Sequence, residues 1–186
     1  LKESLGAEVI ALSMGPAKAE AVLREALALG ADRAILLSDR AFAGSDSWAT
    51  SYLLHLAIRK LAGVRLIFCG KQAIDGDTAQ VGPELAAQLG WVQLTNVCKF
   101  EPAADDWWLA ERRFDWGHDQ IRVRLPAVCC VERELNVPRI PALKGYLRAA
   151  AATVTTWGVS DLQPDTGMIG LAGSPTRVVS SHPATL

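Results

Sequence analysis

Three short apolar runs, each followed by a helix-length amphipathic stretch, constrain this chain more than any other feature. The runs are VIALS at 9–13, RAILL at 33–37 and LIFC at 66–69. After the first, Ala19, Val22, Leu23, Ala26 and Leu27 form one apolar stripe between residues 17 and 29, with Lys18, Glu20, Arg24 and Glu25 off it and Gly30 as the stop. After the second, Asp46 or Ser47 caps a helix running to Leu61, with Leu54, Ile58 and Leu61 on one face. After the third, Val81, Leu85 and Leu89 recur at the spacing of a helix face. Strands joined by helices of this length need crossover connections, so they pair in parallel. The expectation is an α/β fold: a three-layer, mostly parallel sheet with helices on both faces. Ligands of such sheets sit beyond the carboxyl ends of the strands. That places three loops in contention: Met14-Gly15-Pro16, residues 38–46 and residues 70–80.

The last of these loops is the most distinctive. It reads GKQAIDGDTAQ between a buried strand and a helix, a junction that offers free backbone N–H groups and the positive end of a helix dipole to an anion. Asp75 and Asp77 would repel a phosphate they faced, so they must turn to ribose hydroxyls or N–H groups, or meet a cation. Asp77 with Gln80 has the form of a capping box, and Thr78 is a second capping candidate. Pro83 argues for a start near Gln80, because proline is comfortable only in the first turn. Neither G-x-G-x-x-G nor G-x-x-x-x-G-K-[ST] occurs. On these features alone, a capped polar loop without any ligand is an equal reading.

Beyond Gly90 the pattern changes. Residues 91–100, 107–114 and 120–124 read as strands, the last two joined through a turn at 115–119, with Ile121, Val123 and Leu125 on one face. Residues 126–131 form an apolar run returning to the main sheet. In VPRIPALKGYLRAA at 137–150 two prolines precede a short basic helix. From residue 161 on, glycine and proline are frequent and periodic apolar residues few, which suggests an extended C-terminal arm.

Other chemistries find little support. The 186 residues carry a net charge of -1 and no apolar run of membrane length, which argues against a nucleic-acid or membrane surface. Cys69, Cys98, Cys129 and Cys130 form no C-x-x-C pair, and buried reduced thiols in a cytoplasmic protein are expected. His55, His118 and His182 fall in no H-x-x-x-H or H-E-x-x-H motif, so no metal site is expected, and no serine has a G-x-S-x-G context. Trp107, Trp108 and Trp116 suggest a cross-strand cluster or a subunit contact. LKESLG at the start reads as the end of a helix, as though a segment preceded it.

The run GKQAIDGDTAQVGPELA at 70–86 resembles the nucleotide loop of the electron-transfer flavoprotein beta subunit. Three more colinear segments are similar to that family: SMGPAKAEAVLREALALGADRAILLSD at 13–39, LPAVCCVERELNVPRIPALKG at 125–145 and GLAGSPTRV at 170–178. The resemblance implies an adenine nucleotide alpha-hydrolase-like fold over residues 1–163, with a hairpin at about 107–124, and an arm at 164–186 laid across the alpha subunit. It implies an electron carrier with no catalytic residue of its own, exchanging electrons with a flavoprotein such as an acyl-CoA dehydrogenase. It also implies a first strand and loop, absent from this sequence, that complete the pocket.

The cofactor is either AMP or a second FAD of the electron-bifurcating type. One branch of the family has D-D-D-x-N-Q-T-G in the loop. This chain has D-G-D-T-A-Q-V-G, with Ser38-Asp39-Arg40 in the preceding loop, and is more similar to the flavin-binding branch. The implied nucleotide site comprises Met14, Arg40, Cys69, Gly70, Lys71, Gln72, Ala73, Ile74, Asp75, Gly76, Asp77, Thr78, Ala79, Gln80 and Val81. Within it, N–H groups of residues 78–81 would hold phosphate, Asp75 or Asp77 a ribose hydroxyl, Met14 or Cys69 the adenine, and Arg40 a reduced flavin. Arg139, Ile140, Pro141, Ala142, Leu143 and Lys144 correspond to the partner-recognition loop, with Leu143 as its apolar anchor. Val137 and Ile140 depart from the acidic and aromatic residues usual there. A stand-alone adenine-nucleotide binding or hydrolysing domain is the alternative.

Overall fold

The computed structural model describes residues 2–73, 76 and 78–180. In chain order the elements are α1 (Lys2–Leu5), β1 (Ile10–Met14), α2 (Glu20–Leu29), β2 (Arg33–Leu37), α3 (Ser47–Lys60), β3 (Leu66–Gly70), α4 (Val81–Leu89) and β4 (Val92–Pro102). Then follow β5 (Trp107–Phe114), β6 (Gly117–Arg124), β7 (Ala127–Val131), α5 (Leu143–Ala151), β8 (Val154–Trp157), α6 (Val159–Leu162) and α7 (Gly170–Gly173).

The parallel α/β architecture expected from the sequence is present, divided between two sheets. One has the order β1-β2-β8 and is wholly parallel. The other has the order β3-β7-β4-β5-β6, parallel through β3, β7 and β4 and antiparallel through the β5–β6 hairpin. Among the described residues, β1 pairs only with β2, and β3 only with β7.

Strand β2 shows why helices cover both faces. Its side chains alternate, as strand geometry requires. Ala34 and Leu36 pack with Leu23, Leu27 and Ala28 of α2 and Ala149 of α5. Ile35 and Leu37 pack with Phe42, with Leu53 and Ala57 of α3, and with Leu162 and Ile169. In the second sheet Val128 meets Leu85, Ala86 and Leu89 of α4, while Ala127 and Cys129 face Leu94, Val97, Phe100, Ala110 and Val123. Each fully buried leucine contributes about 2 kcal/mol by leaving water.

Several expectations are corrected in detail. Val22 is 62% exposed, so the buried stripe of α2 is Leu23, Leu27 and Ala28. On α3 the buried face is Ala49, Ser51, Leu53, Ala57 and Ile58, with Leu54 and Leu61 only partly covered. The hairpin turn is Asp115-Trp116 alone, because Phe114 pairs directly with Gly117 and brings His118 and Asp119 into β6. Around the hairpin, Phe100 stacks on Trp108 and Phe114 on Trp116, while Arg122 and Arg124 lie over Trp107. Trp107 and Trp108 thus make cross-strand contacts on opposite faces of the hairpin, while Trp116 sits exposed at its turn. Strand β8 is new: four residues with two threonines carry too little periodicity to be read. The segment read as an arm packs on this chain as far as Thr176. Leu162 and Ile169 are buried, Gly170 N–H donates to Ser45 Oγ at 3.1 Å, and Thr176 N–H donates to Asp46 Oδ2 at 2.9 Å.

Candidate functional site

Parallel pairing brings the strand ends into rows. Met14 is in register with Leu37, and Leu37 with Trp157, so β1, β2 and β8 end together. Gly70 is in register with Val131 at the ends of β3 and β7. The two rows adjoin through the helix starts: Ser47 Oγ at the head of α3 lies 3.3 Å from Gln80 Oε1 and 3.2 Å from Glu84 Oε1 at the head of α4. The β2–α3 and β3–α4 loops therefore share one edge, as the sequence suggested.

The β2–α3 loop is closed by its own carboxylates. Asp39 accepts hydrogen bonds from Ala41 N–H at 3.0 Å and from Val159 N–H at 3.0 Å, and these donors hold its carboxyl below the ordinary value. Asp46 caps α3 through Ala49 N–H at 3.1 Å and takes both the N–H and the hydroxyl of Thr176. Burial pushes the Asp46 carboxyl up, but these donors outweigh it and the net shift is downward. Each oxygen of both carboxylates thus already accepts at least one hydrogen bond from this chain, and the first turn of α3 already has an anion at its N–H groups.

The β3–α4 loop is the opposite case. Helix α4 starts at Val81 with Gln80 as its N-cap residue and no side-chain cap, so Pro83 does fall in the first turn and Thr78 is not the cap. Ile74, Asp75 and Asp77 lie outside the described residues. Among the described residues the N–H groups of Val81 and Gly82 have no acceptor, as expected of an uncapped first turn. Ala79 just before them has φ 53°, a left-handed conformation costly for a residue with a Cβ. Gly82 seats the helix on the sheet: a Cβ there would lie 2.3 Å from Cys130 Sγ and 3.6 Å from Cys69 Cβ. The free amides are thereby held close over the ends of β3 and β7.

A cleft of about 520 Å³ opens beside these ends, lined by Gly70, Lys71, Gln72, Val131, Glu132 and Arg133. Lys71 Nζ lies 2.9 Å from Glu132 Oε1, a pair that offers both a cation and an anion at the rim. In the first turn of α4, Glu84 has its Oε2 buried without a hydrogen-bond partner among the described residues, and burial raises its carboxyl above the ordinary value.

The remaining expected residues are placed as follows. Ala73, Gly76, Thr78, Ala79 and Gln80 are exposed along the loop, as are Lys71 and Gln72. Met14 is half-buried at the end of β1, packed toward Leu37 and its neighbours. Cys69 sits beneath Gly82, its thiol pushed up to about 12 by burial, which makes it a packing residue under α4. Arg40 is exposed in the short helical turn after Asp39, and its guanidinium has no partner among the described residues. All four cysteines are free thiols.

Residues 139–144 form a separate surface. Ile140 is 91% exposed, Leu143 74%, and Val137 94%, with Tyr146 and Leu147 also exposed on α5. Arg139 pairs with Glu3 at 2.7 Å; Ala142 and Lys144 are exposed and Pro141 is partly covered. Leu143 points outward because α5 buries its opposite side: Gly145 packs so closely on α2 that a Cβ would lie 2.5 Å from the Ala28 carbonyl oxygen.

Sequence reasoning had not singled out Glu84 or Glu132, had offered Ser47 only as a cap of α3, and had given Gly82 only as the end of the D-G-D-T-A-Q-V-G run. Gly82 was legible in principle, since a glycine one residue ahead of a helical proline signals close helix–sheet approach. The others depend on pairing between distant segments.

The residues present fit an adenine nucleotide's phosphate: uncapped amides, a glycine where the helix must approach the sheet, glycines at 70 and 76 with open space about them, and an adjoining cleft. No described helix is long and apolar enough to cross a membrane. The electron transfer flavoprotein domain matches residues 1–162. The chain is 47% identical over 182 residues to the electron transfer flavoprotein subunit beta of Thermoanaerobacterium thermosaccharolyticum, covering 97% of this chain and 69% of that protein. It is 46% identical over 185 residues to Protein FixA of Bradyrhizobium diazoefficiens, covering 96% and 64%. With the caffeyl-CoA reductase-Etf complex subunit CarD of Acetobacterium woodii it shares 43% identity over 181 residues, covering 96% and 68%. The sequence thus spans about two thirds of the length of these relatives, and a chain matched by the domain over most of its residues belongs to the electron transfer flavoprotein family.

Proposed function

We propose that this chain is the beta subunit of an electron-transfer flavoprotein, an electron carrier that holds an adenine nucleotide at residues 70–81 and works in complex with an alpha subunit. One observation carries the site assignment: α4 presents a first turn that no described side chain caps at the carboxyl edge, next to a neighbouring loop whose helix is already capped by Asp46. The nucleotide's phosphate lies on the N–H groups of residues 78–82, and Asp75 or Asp77 takes a ribose hydroxyl. When bound, a flavin would supply the redox chemistry. The chain's part is to bind and orient it.

FAD is favoured over AMP by the D-G-D-T-A-Q-V-G run and by Arg40, whose unpaired cation on the same edge suits the anionic ring of a reduced flavin. Residues 137–147 form the docking surface for a flavoprotein dehydrogenase, with Leu143 as anchor, supported by its outward position. The experiment is to purify the complex with the alpha subunit, denature it, and count released FAD and AMP. Two FAD and no AMP per heterodimer are expected. One FAD and one AMP would leave the electron-carrier assignment standing and overturn the choice of nucleotide. Unchanged flavin potentials in Arg40→Ala would remove the role given to Arg40.

A further inference from the structure

The outer face of the β4–β5–β6 sheet gathers three donors of three different kinds. Cys98 Sγ, a carboxylate oxygen of Glu111 and a ring nitrogen of His118 all lie within 4.8 Å of one another. His118 Nδ1 is 2.8 Å from Glu111 Oε1, and Cys98 Sγ is 3.9 Å from the same oxygen. Their separations along the chain resemble no metal motif, so only the pairing of the strands brings them into one group.

Strand pairing explains how they meet. Val97 pairs with Arg112 and Lys99 with Glu111, so two steps along β4 match one step along β5 and Cys98 is the extra residue of a bulge. The bulge lets Val97 and Phe100, three residues apart, both enter the same core cluster. Its consequence is that Cys98 turns outward beside Glu111. On the other side Glu111 pairs with Gln120, which makes His118 its diagonal neighbour on the same face. Each donor thus comes from a different strand, and backbone hydrogen bonding fixes all three.

We propose that Cys98, Glu111 and His118 form a binding site for a divalent transition metal of the zinc class, with water in the fourth position. Thiolate, imidazole and carboxylate are the donors such an ion prefers, and donors around a tetrahedral zinc ion lie roughly 3.3–3.8 Å apart, which needs only small side-chain movements from this arrangement. Thiolate and carboxylate together neutralise the ion's charge. Glu132 adds negative potential near Cys98, opposed by Arg113, which is itself paired to Glu134 at 3.0 Å. Hard ions such as magnesium are disfavoured by the sulfur and nitrogen ligands. Bound metal ties the hairpin to β4.

The test is cobalt(II) titration of the purified complex, read by the thiolate-to-cobalt charge-transfer band and by displacement with zinc. The expected result is a saturable band at one equivalent, abolished by Cys98→Ser, with zinc affinity lowered by about tenfold or more in His118→Gln and Glu111→Gln. Cys69, Cys129 and Cys130 lie in or beneath the sheet with their thiols pushed up by burial, so Cys130→Ala must leave the band intact. Because His118 is exposed, His118→Gln remains informative if a more buried variant fails to fold. A missing band, a band that survives Cys98→Ser, or zinc affinity unchanged in His118→Gln overturns the site.

Discussion

The two helix-opening loops on the carboxyl edge have the same local plan and opposite hydrogen-bond accounts. In the β2–α3 loop Asp39 and Asp46 take N–H donors from two and three residues on, and also from Val159 and Thr176, so the loop is bound to the rest of the chain. In the β3–α4 loop no side chain among the described residues caps the helix, and among them its first amides are free. A loop that satisfies its own donors is architecture. A loop that leaves donors free at the mouth of a cleft is built for something that supplies acceptors. The contrast explains why two acidic loops in similar positions need not have similar roles.

The largest effect expected from breaking this contrast is at Gly82. In Gly82→Ala the new methyl meets Cys130 Sγ at 2.3 Å, and α4 must rise from the sheet. Overpacking of this kind costs about 1–3 kcal/mol. Thermal unfolding of the complex should show that loss, and nucleotide content after gel filtration should fall with it, because the free amides move with the helix. Adding Cys130→Ala should recover a good part of both. Full nucleotide content in Gly82→Ala would mean that α4's seat on the sheet does not set the site.

Asp46→Ala comes next and should separate the two loops. Loss of the α3 cap costs about 1 kcal/mol. Nucleotide content should stay unchanged, since the Asp46 carboxylate is taken up by Ala49 and Thr176 of its own chain. The cap also has a pH signature. The folded Asp46 carboxyl sits below its ordinary value, so its stabilisation is complete above the unfolded value and disappears as pH falls through the lowered one. The variant should therefore lose less stability than the parent between neutral and acid pH.

How much of this was legible in the sequence follows the range of the interactions concerned. Residues 33–37 and 107–114 are strands at the expected bounds, because each depends on a local run of apolar or β-branched residues. Strand β8 was not, since Val154-Thr155-Thr156-Trp157 becomes a strand only by lying beside β2. Pro83 located the start of α4 correctly through a purely local constraint. What could not be read was the match of residues far apart in the chain: Thr176 on Asp46, Gly82 on Cys130, and Cys98 turned outward by a bulge that serves Val97 and Phe100. The outward placement of Leu143 also comes from a remote contact, the approach of Gly145 to Ala28.

Glu84 gives a smaller effect of the opposite sign. Burial raises its carboxyl, and the nearby Asp46 charge adds to the rise, against the hydroxyl of Ser47. A carboxyl raised in the folded state stabilises the fold fully below its unfolded value and loses that contribution as pH climbs through the raised one. Glu84→Gln should flatten this decline, so its thermal midpoint relative to the parent rises as pH increases through that window. A parallel shift at all pH values would mean that Glu84 is solvated where it enters the first turn of α4.

The smallest change is expected at Ala79, and it bears most directly on why the loop has its shape. With φ 53°, Ala79 holds a conformation that costs a residue with a Cβ about 1 kcal/mol, and glycine avoids that cost. Glycine also loses more chain entropy on folding, which returns a similar amount. Ala79→Gly should therefore leave the unfolding free energy within about 0.5 kcal/mol of the parent while freeing the residue that leads into the free amides. If the left-handed turn is kept so that Gln80, Val81 and Gly82 face a phosphate in advance, the same variant should release nucleotide faster at nearly unchanged stability. Equal release rates would mean that the bound nucleotide, rather than the backbone before it, sets the direction of those amides.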